Sequence, residues 1–178
     1  MSVFKVASRY AKSLLDLCKE KSLVEEVNND MVLIDSACEQ NRELVLVLRS
    51  PIIKQDKKIK IVEAIFGNKV NKFTRLFLKL TISKGRADVL HEITREFHKQ
   101  YLEFKGIQKA KVITTFKLDD TLRNEFNKIV KALTNKNPDL SQEVSKDIIG
   151  GYILNIDDRR IDSSLKSMLK KIEHDLIK

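Results

Sequence analysis

The chain has no tryptophan, only two prolines and five glycines, and just two cysteines among its 178 residues. Scarce proline and glycine argue against collagen-like or loop-dominated architectures, and a hydrophobic fraction of 42% argues against a disordered chain. Two cysteines, Cys18 and Cys38, cannot make a disulfide framework. Each sits in an apolar helical pattern and reads as a small buried hydrophobe in a reducing compartment. No run approaches the ~18 apolar residues of a membrane span. The opening MSVFKVASRYAK has no signal-peptide hydrophobic region. The chain is expected to be soluble, or peripheral to something that is not.

Catalytic patterns are as scarce. Of the three histidines, His91 and His98 lie two helical turns apart, about 10 Å, too far to share one metal. His91-Glu92 lacks the second histidine of HExxH, and there is no CxxC, nucleophile elbow or dinucleotide fingerprint. Asp119-Asp120 and Asp157-Asp158 fall where carboxylates act as helix caps and turn formers. Gly150-Gly151 is followed by the apolar Tyr152-Ile153-Leu154, with no lysine before Lys166, so it is no phosphate cradle. The pair marks a bulge, or a place where another backbone comes close. No catalytic residue, cofactor site or metal site is expected.

What the chain does have is charge and helical periodicity. A net charge of +9 permits nucleic acid, an anionic membrane surface or acidic partners, and does not choose among them. Lys54, Lys57, Lys58 and Lys60 are the best nucleic-acid candidates, but they lack interleaved aromatics and read better as a solvated helix face.

Six amphipathic helices are predicted before Gly106. Helix one carries two stripes, one through Val3, Ala7, Leu14 and Cys18 and another through Val6, Tyr10, Ser13 and Leu17. An outer bundle helix needs only one. Either this helix is central, or its second face is kept for a partner. Helix two spans 23–39 with Val24, Val27, Met31, Ile34 and Cys38 inward. A short helix over 43–48 stops before Ser50-Pro51, and helix four covers 56–66. Helix five runs over 69–84 on a stripe of Phe73, Leu76, Phe77 and Leu80, with Gly85 as its stop. Helix six starts near Arg86 and carries Val89, Ile93, Phe97, Tyr101 and Phe104.

Beyond Gly106 the period changes. Residues 109–117 read as a strand, and 118–134 as a helix capped by Asp119. Asn135–Leu140 reads as a turn and 142–146 as a short strand. Residues 151–156 and 160–162 form a hairpin around Asp157-Asp158-Arg159. Ser163 or Ser164 caps a last helix through Ile172 and Ile177. The expectation is an α+β protein: a six-helix bundle over residues 1–105, then a small α/β module with a β-hairpin over 106–178.

Four stretches in this order resemble the delta subunit family of F-type ATP synthases, which includes the mitochondrial oligomycin-sensitivity conferral protein. They are Ala7-Ser8-Arg9-Tyr10-Ala11-Lys12-Ser13-Leu14; Leu48-Arg49-Ser50-Pro51-Ile52-Ile53 with Lys57; Lys84-Gly85-Arg86; and Ile148-Ile149-Gly150-Gly151-Tyr152-Ile153-Leu154 with Ile161-Asp162 and Ser164. Ser13 stands where an alanine is common, and Lys84-Gly85 replaces an asparagine form. The resemblance implies a non-catalytic stator component that links the catalytic head to the peripheral stalk. It implies a groove between helices one and five for the N-terminal helix of an alpha subunit, with Val6, Tyr10, Ser13 and Leu17 facing Phe73, Phe77 and Leu80. It assigns the C-terminal module to the b subunits of the stalk. Ser50, Pro51, Arg86, Gly150, Gly151 and Asp162 become structural signature positions. Membrane association would arise only through the complex, at the cytoplasmic face of a bacterial inner membrane, since no transit peptide is seen. The rival readings are a basic nucleic-acid-binding protein and an adaptor of another complex.

Overall fold

The computed structural model describes residues 3–176. Its chain divides into two compact units, Met1–Leu102 and Glu103–Lys178, with the division inside the last turn of the sixth helix.

The first unit is built from α1 (Val3–Lys21), α2 (Val24–Gln40), α3 (Arg42–Arg49), α4 (Gln55–Phe66), α5 (Lys72–Ser83) and α6 (Leu90–Lys105). A single 3-10 turn at Ala87–Val89 leads into α6. Val27, Ile34, Ile82 and Phe97 are fully enclosed at the centre, with Leu14, Met31 and Leu78 around them. Helix α1 is central: Val6, Ala7, Ala11, Leu14, Leu15 and Cys18 are all buried, a face wider than either expected stripe. Val3 and Phe104, each expected on a core stripe, are about half exposed.

Helix α5 corrects the sequence reading most. Its inward residues are Thr74, Leu78, Thr81 and Ile82, whereas Leu76 and Leu80 of the expected stripe are more than half exposed. Buried threonines are tolerated because their hydroxyls are satisfied. Thr74 Oγ1 donates to Asp30 at 2.5 Å, and Thr81 Oγ1 to the Phe77 carbonyl at 2.9 Å. Threonine scores as polar, so the apolar stripe pointed to the wrong face. The helix ends as expected at Gly85, whose φ of 71° suits a residue without Cβ. The Gly85 and Arg86 amides close back on the Ile82 and Thr81 carbonyls in a Schellman motif.

In the second unit, β1 (Ile107–Thr114), α7 (Asp120–Thr134) and β2 (Asn137–Val144) make a βαβ crossover. β3 (Gly151–Ile156), β4 (Arg159–Ser164) and α8 (Leu165–Leu176) follow, and the sheet order is β2-β1-β3-β4. Alternate β1 residues Ala110 and Val112 join Leu154 and Ile156 under Phe126 and Val130 of α7. Asp119 caps α7 by accepting from the Leu122 amide at 2.8 Å. The expected turn over Asn135–Leu140 is corrected: only its start turns, with Asn135 left-handed at φ 54°, and Asn137-Pro138-Asp139-Leu140 is already strand. Proline is allowed there because β2 is an edge strand, so its missing N–H costs no ladder bond on the outer side. The hairpin turns on Asp157-Asp158, two residues rather than three. Ile177, expected on the last helix, lies outside the described residues.

Candidate functional site

The face of α5 left outside by its buried threonines meets the second stripe of α1. Tyr10, Ser13, Leu14 and Leu17 of α1, with Arg9 at the rim, face Phe77 and Leu80 of α5 across an open hollow of 420 Å³. Tyr10 and Phe77 are half-buried at its floor and meet edge to face, centroids 6.5 Å apart at 65°. Leu17 and Leu80 form its upper edges at 41% and 52% exposure. Ser13 is exposed and its hydroxyl donates to the Arg9 carbonyl at 2.9 Å, so the apolar groove carries no unmet hydroxyl there.

Five of the seven expected groove residues therefore line one surface. Val6 does not: it is 7% exposed and packs with Ala7, Val89 and Ile93 in the core. The 3-10 turn before α6 covers the first turn of the α1 stripe, a contact invisible to periodicity. Phe73 is half-buried one turn before Phe77 and does not reach the hollow. Arg9 and Leu14 were missed, Leu14 because it was assigned wholly to the core.

The expected signature positions fall at turns and near the ends of elements. Ser50 ends α3, its amide donating to the Leu46 carbonyl at 2.9 Å. Ser50, Pro51 and Gly85 line one polar hollow beside Lys58. Lys58 is 7% exposed and its Nζ donates to the Leu48 carbonyl at 2.6 Å, closing the end of α3. The cluster Lys54, Lys57, Lys58, Lys60 is thus not one basic face; its third member is a buried cap. Gly151 has φ 78°, and a Cβ there would lie 2.2 Å from the Ser163 carbonyl oxygen, so the neighbouring strand does come close. Asp162 accepts from the Ser164 amide at 3.0 Å and hydroxyl at 2.7 Å, and from the Ser167 hydroxyl at 3.0 Å. These bonds, led by Ser164 and aided by Arg160, hold its carboxyl down at about 2. Ser164 Oγ in turn accepts from the Ser167 amide, so Ser164 is the cap of α8.

Other polar groups stitch the bundle. Tyr101 donates to Glu25 at 2.5 Å, which pushes its phenol up to about 12. Asp35, Glu39 and His91 bring ligand atoms within 4.8 Å of one another. Arg95 already spans both carboxylates, 2.7 Å from Glu39 and 3.5 Å from Asp35, and the trio works as an ion-paired seam between α2 and α6. Burial pushes both thiols up to about 11, making Cys18 and Cys38 unreactive. An apolar open groove of this kind suits the side chains of an amphipathic helix.

Comparison with known proteins gives a concordant picture. The family model described as ATP synthase delta (OSCP) subunit matches residues 6–176. ATP synthase subunit delta of Cytophaga hutchinsonii is 41% identical over 174 residues, covering 98% of this chain and 95% of the relative. The Chlorobaculum tepidum protein of the same name is 34% identical over 177 residues, covering 99% and 98%. A chain in the cryo-EM structure of the Toxoplasma gondii mitochondrial ATP synthase hexamer shares the fold, with a TM-score of 0.68 at 20% identity over 97% of each chain.

Proposed function

The chain belongs to the ATP synthase delta (OSCP) subunit family, and from that premise we propose how its two units hold the enzyme's static parts together. It is a structural, non-catalytic subunit of the stator, and its work is binding. The first unit takes the N-terminal helix of an alpha subunit of the catalytic head into the groove between α1 and α5. The second unit takes the b subunits of the peripheral stalk. No helix among the described residues is long and apolar enough to cross a membrane. The chain then reaches the cytoplasmic face of a bacterial inner membrane through its partners.

The observation that carries this reading is the groove itself. Leu17 and Leu80 stand exposed on facing helices over a half-buried aromatic pair, an arrangement that leaves apolar surface in water unless a ligand covers it. Tyr10 to Leu17 is about two helical turns, enough to engage successive anchors of one docked helix. Rotary torque is resisted only if the summed contacts outlast many turnovers, which calls for sub-nanomolar binding, about −12 kcal/mol or better across the assembly. Nucleic-acid binding is disfavoured by the loss of Lys58 from the basic cluster.

The test is titration calorimetry with a synthetic peptide of the alpha-subunit N-terminus. Leu80→Ala should weaken binding roughly thirtyfold, from ~2 kcal/mol for an interface anchor, with the melting temperature unchanged because Leu80 is exposed. Unaltered affinity in Leu80→Ala and Leu17→Ala would remove the groove as the site.

A further inference from the structure

The stretches 48–53 and 84–86 are far apart in sequence and meet in the fold at the polar hollow beside Lys58, which has a volume of 320 Å³. Arg49 comes to its wall from the end of α3 and Ser50 from the residue after it. Gln55 and Lys58 come from the first turns of α4, and Asp88 from the 3-10 turn before α6.

Lys58 is the centre of this cluster. Its ammonium is buried and has three donors, of which the Leu48 carbonyl accepts one at 2.6 Å. No carboxylate pairs with it among the described residues. A buried charge is costly unless an opposite charge or further hydrogen bonds compensate it. One neutral carbonyl leaves the charge and two of its protons unmatched.

Further donors line the same walls. Glu92 fixes Arg49 through one guanidinium nitrogen at 2.5 Å, which leaves other N–H groups of the fork unused. The Ser50 hydroxyl and the Gln55 side-chain amide make no hydrogen bond among the described residues. No side chain caps the start of α4 at Gln55, so the positive end of that helix adds to the same potential. Asp88 is the one acidic group on the wall. It is exposed, has no hydrogen bond or ion pair among the described residues, and does not neutralise Lys58.

Capping of α3 accounts for the Leu48 bond but not for the idle donors or the separate carboxylate. A protonated oxyanion accounts for both. Phosphate at neutral pH has oxygens that accept from the donors, and it keeps an O–H that a carboxylate accepts. Sulfate has no proton to give, so Asp88 repels it. The hollow stands at the small end of ligand sites, about 300–1,000 Å³, and suits a single ion with its waters.

We propose that this hollow is a binding site for inorganic phosphate. Lys58, Arg49, Ser50 and Gln55 donate to its oxygens, and Asp88 accepts from its O–H. The hollow shares no lining residue with the α1–α5 groove, so the site goes beyond the stator reading and does not depend on it. Bound phosphate ties α3, α4 and the turn before α6 together and stabilises the first unit by mass action.

The test is titration of the full, isotope-labelled chain with inorganic phosphate at constant ionic strength, read by amide NMR shifts. Shifts at Ser50, Gln55 and Gly85 should saturate with a dissociation constant of about 1 mM or tighter, and sulfate should bind at least about tenfold more weakly. Asp88→Asn, at an exposed position, should narrow that preference to about threefold or less. Lys58→Met should lose at least about tenfold in phosphate affinity. Gln55→Leu, at an exposed position, keeps the test open if Lys58→Met does not fold, and should weaken phosphate about threefold. Shifts that grow without saturating, as for an adventitious ion only, would overturn the site. So would saturation confined to other residues, or equal affinity for phosphate and sulfate in the wild-type chain. Acetate binding as tightly as phosphate would make the hollow a seat for a partner's carboxylate and overturn the proposal. Unchanged phosphate affinity in a folded Lys58→Met, or in Gln55→Leu, would do the same.

Discussion

Lys58 lies among three exposed lysines, and nothing in composition separates it from them. Its partner, the last-turn carbonyl of Leu48, is ten residues away across a loop, so the bond becomes visible only once α3 and α4 are set side by side. Lys58→Met should cost ~1–3 kcal/mol in urea unfolding, because a buried carbonyl loses its charged donor. Lys57→Met should stay within about 0.5 kcal/mol, as surface substitutions do. Gly151, by contrast, was legible: a glycine before a strand-forming run implied close backbone approach, and the Ser163 carbonyl supplies it. Gly151→Ala combines that clash with a φ that L residues avoid and should cost on the order of 3 kcal/mol. Unfolding free energies for the three variants decide all of these, and equal losses for Lys57 and Lys58 would contradict the cap.

At the scale of elements, helices and strands with strong apolar periods were readable, and α2 is the clearest case, with Val27, Met31, Ile34 and Cys38 all buried. The reading failed where a polar residue is buried and satisfied, as Thr74 and Thr81 show, and where an edge strand tolerates proline, as Pro138 shows. The groove was legible in five of seven residues because two adjacent helices expose apolar faces. Val6 was lost to it because the covering turn comes from Val89, far along the chain. The start of α8 offers a pH test. Asp162 is held at about 2, below its ordinary value near 4, so its bonds to Ser164 and Ser167 favour the ionised form in the folded chain. That contribution is present above the ordinary carboxylate value and is lost as pH falls from about 4 through 2. Asp162→Asn should therefore flatten the acid side of the stability profile between those values, read as the urea midpoint against pH. An unchanged profile would mean that the cap contributes no linkage.

For the molecule as a whole, the two units carry separate surfaces, the α1–α5 groove in the first and that of the four-stranded sheet with α7 and α8 in the second. A stator link needs both to be occupied at once, since a connector that must release one partner to hold the other transmits no torque. The measurement that tests this most directly is sedimentation velocity of the full chain mixed with the alpha-subunit N-terminal peptide, dye-labelled, and the soluble b-subunit fragment. The account requires one species carrying chain, peptide and fragment together, from which Leu80→Ala removes the peptide alone. Mutual displacement of peptide and fragment, or loss of both partners in Leu80→Ala with the protein still folded, would contradict it.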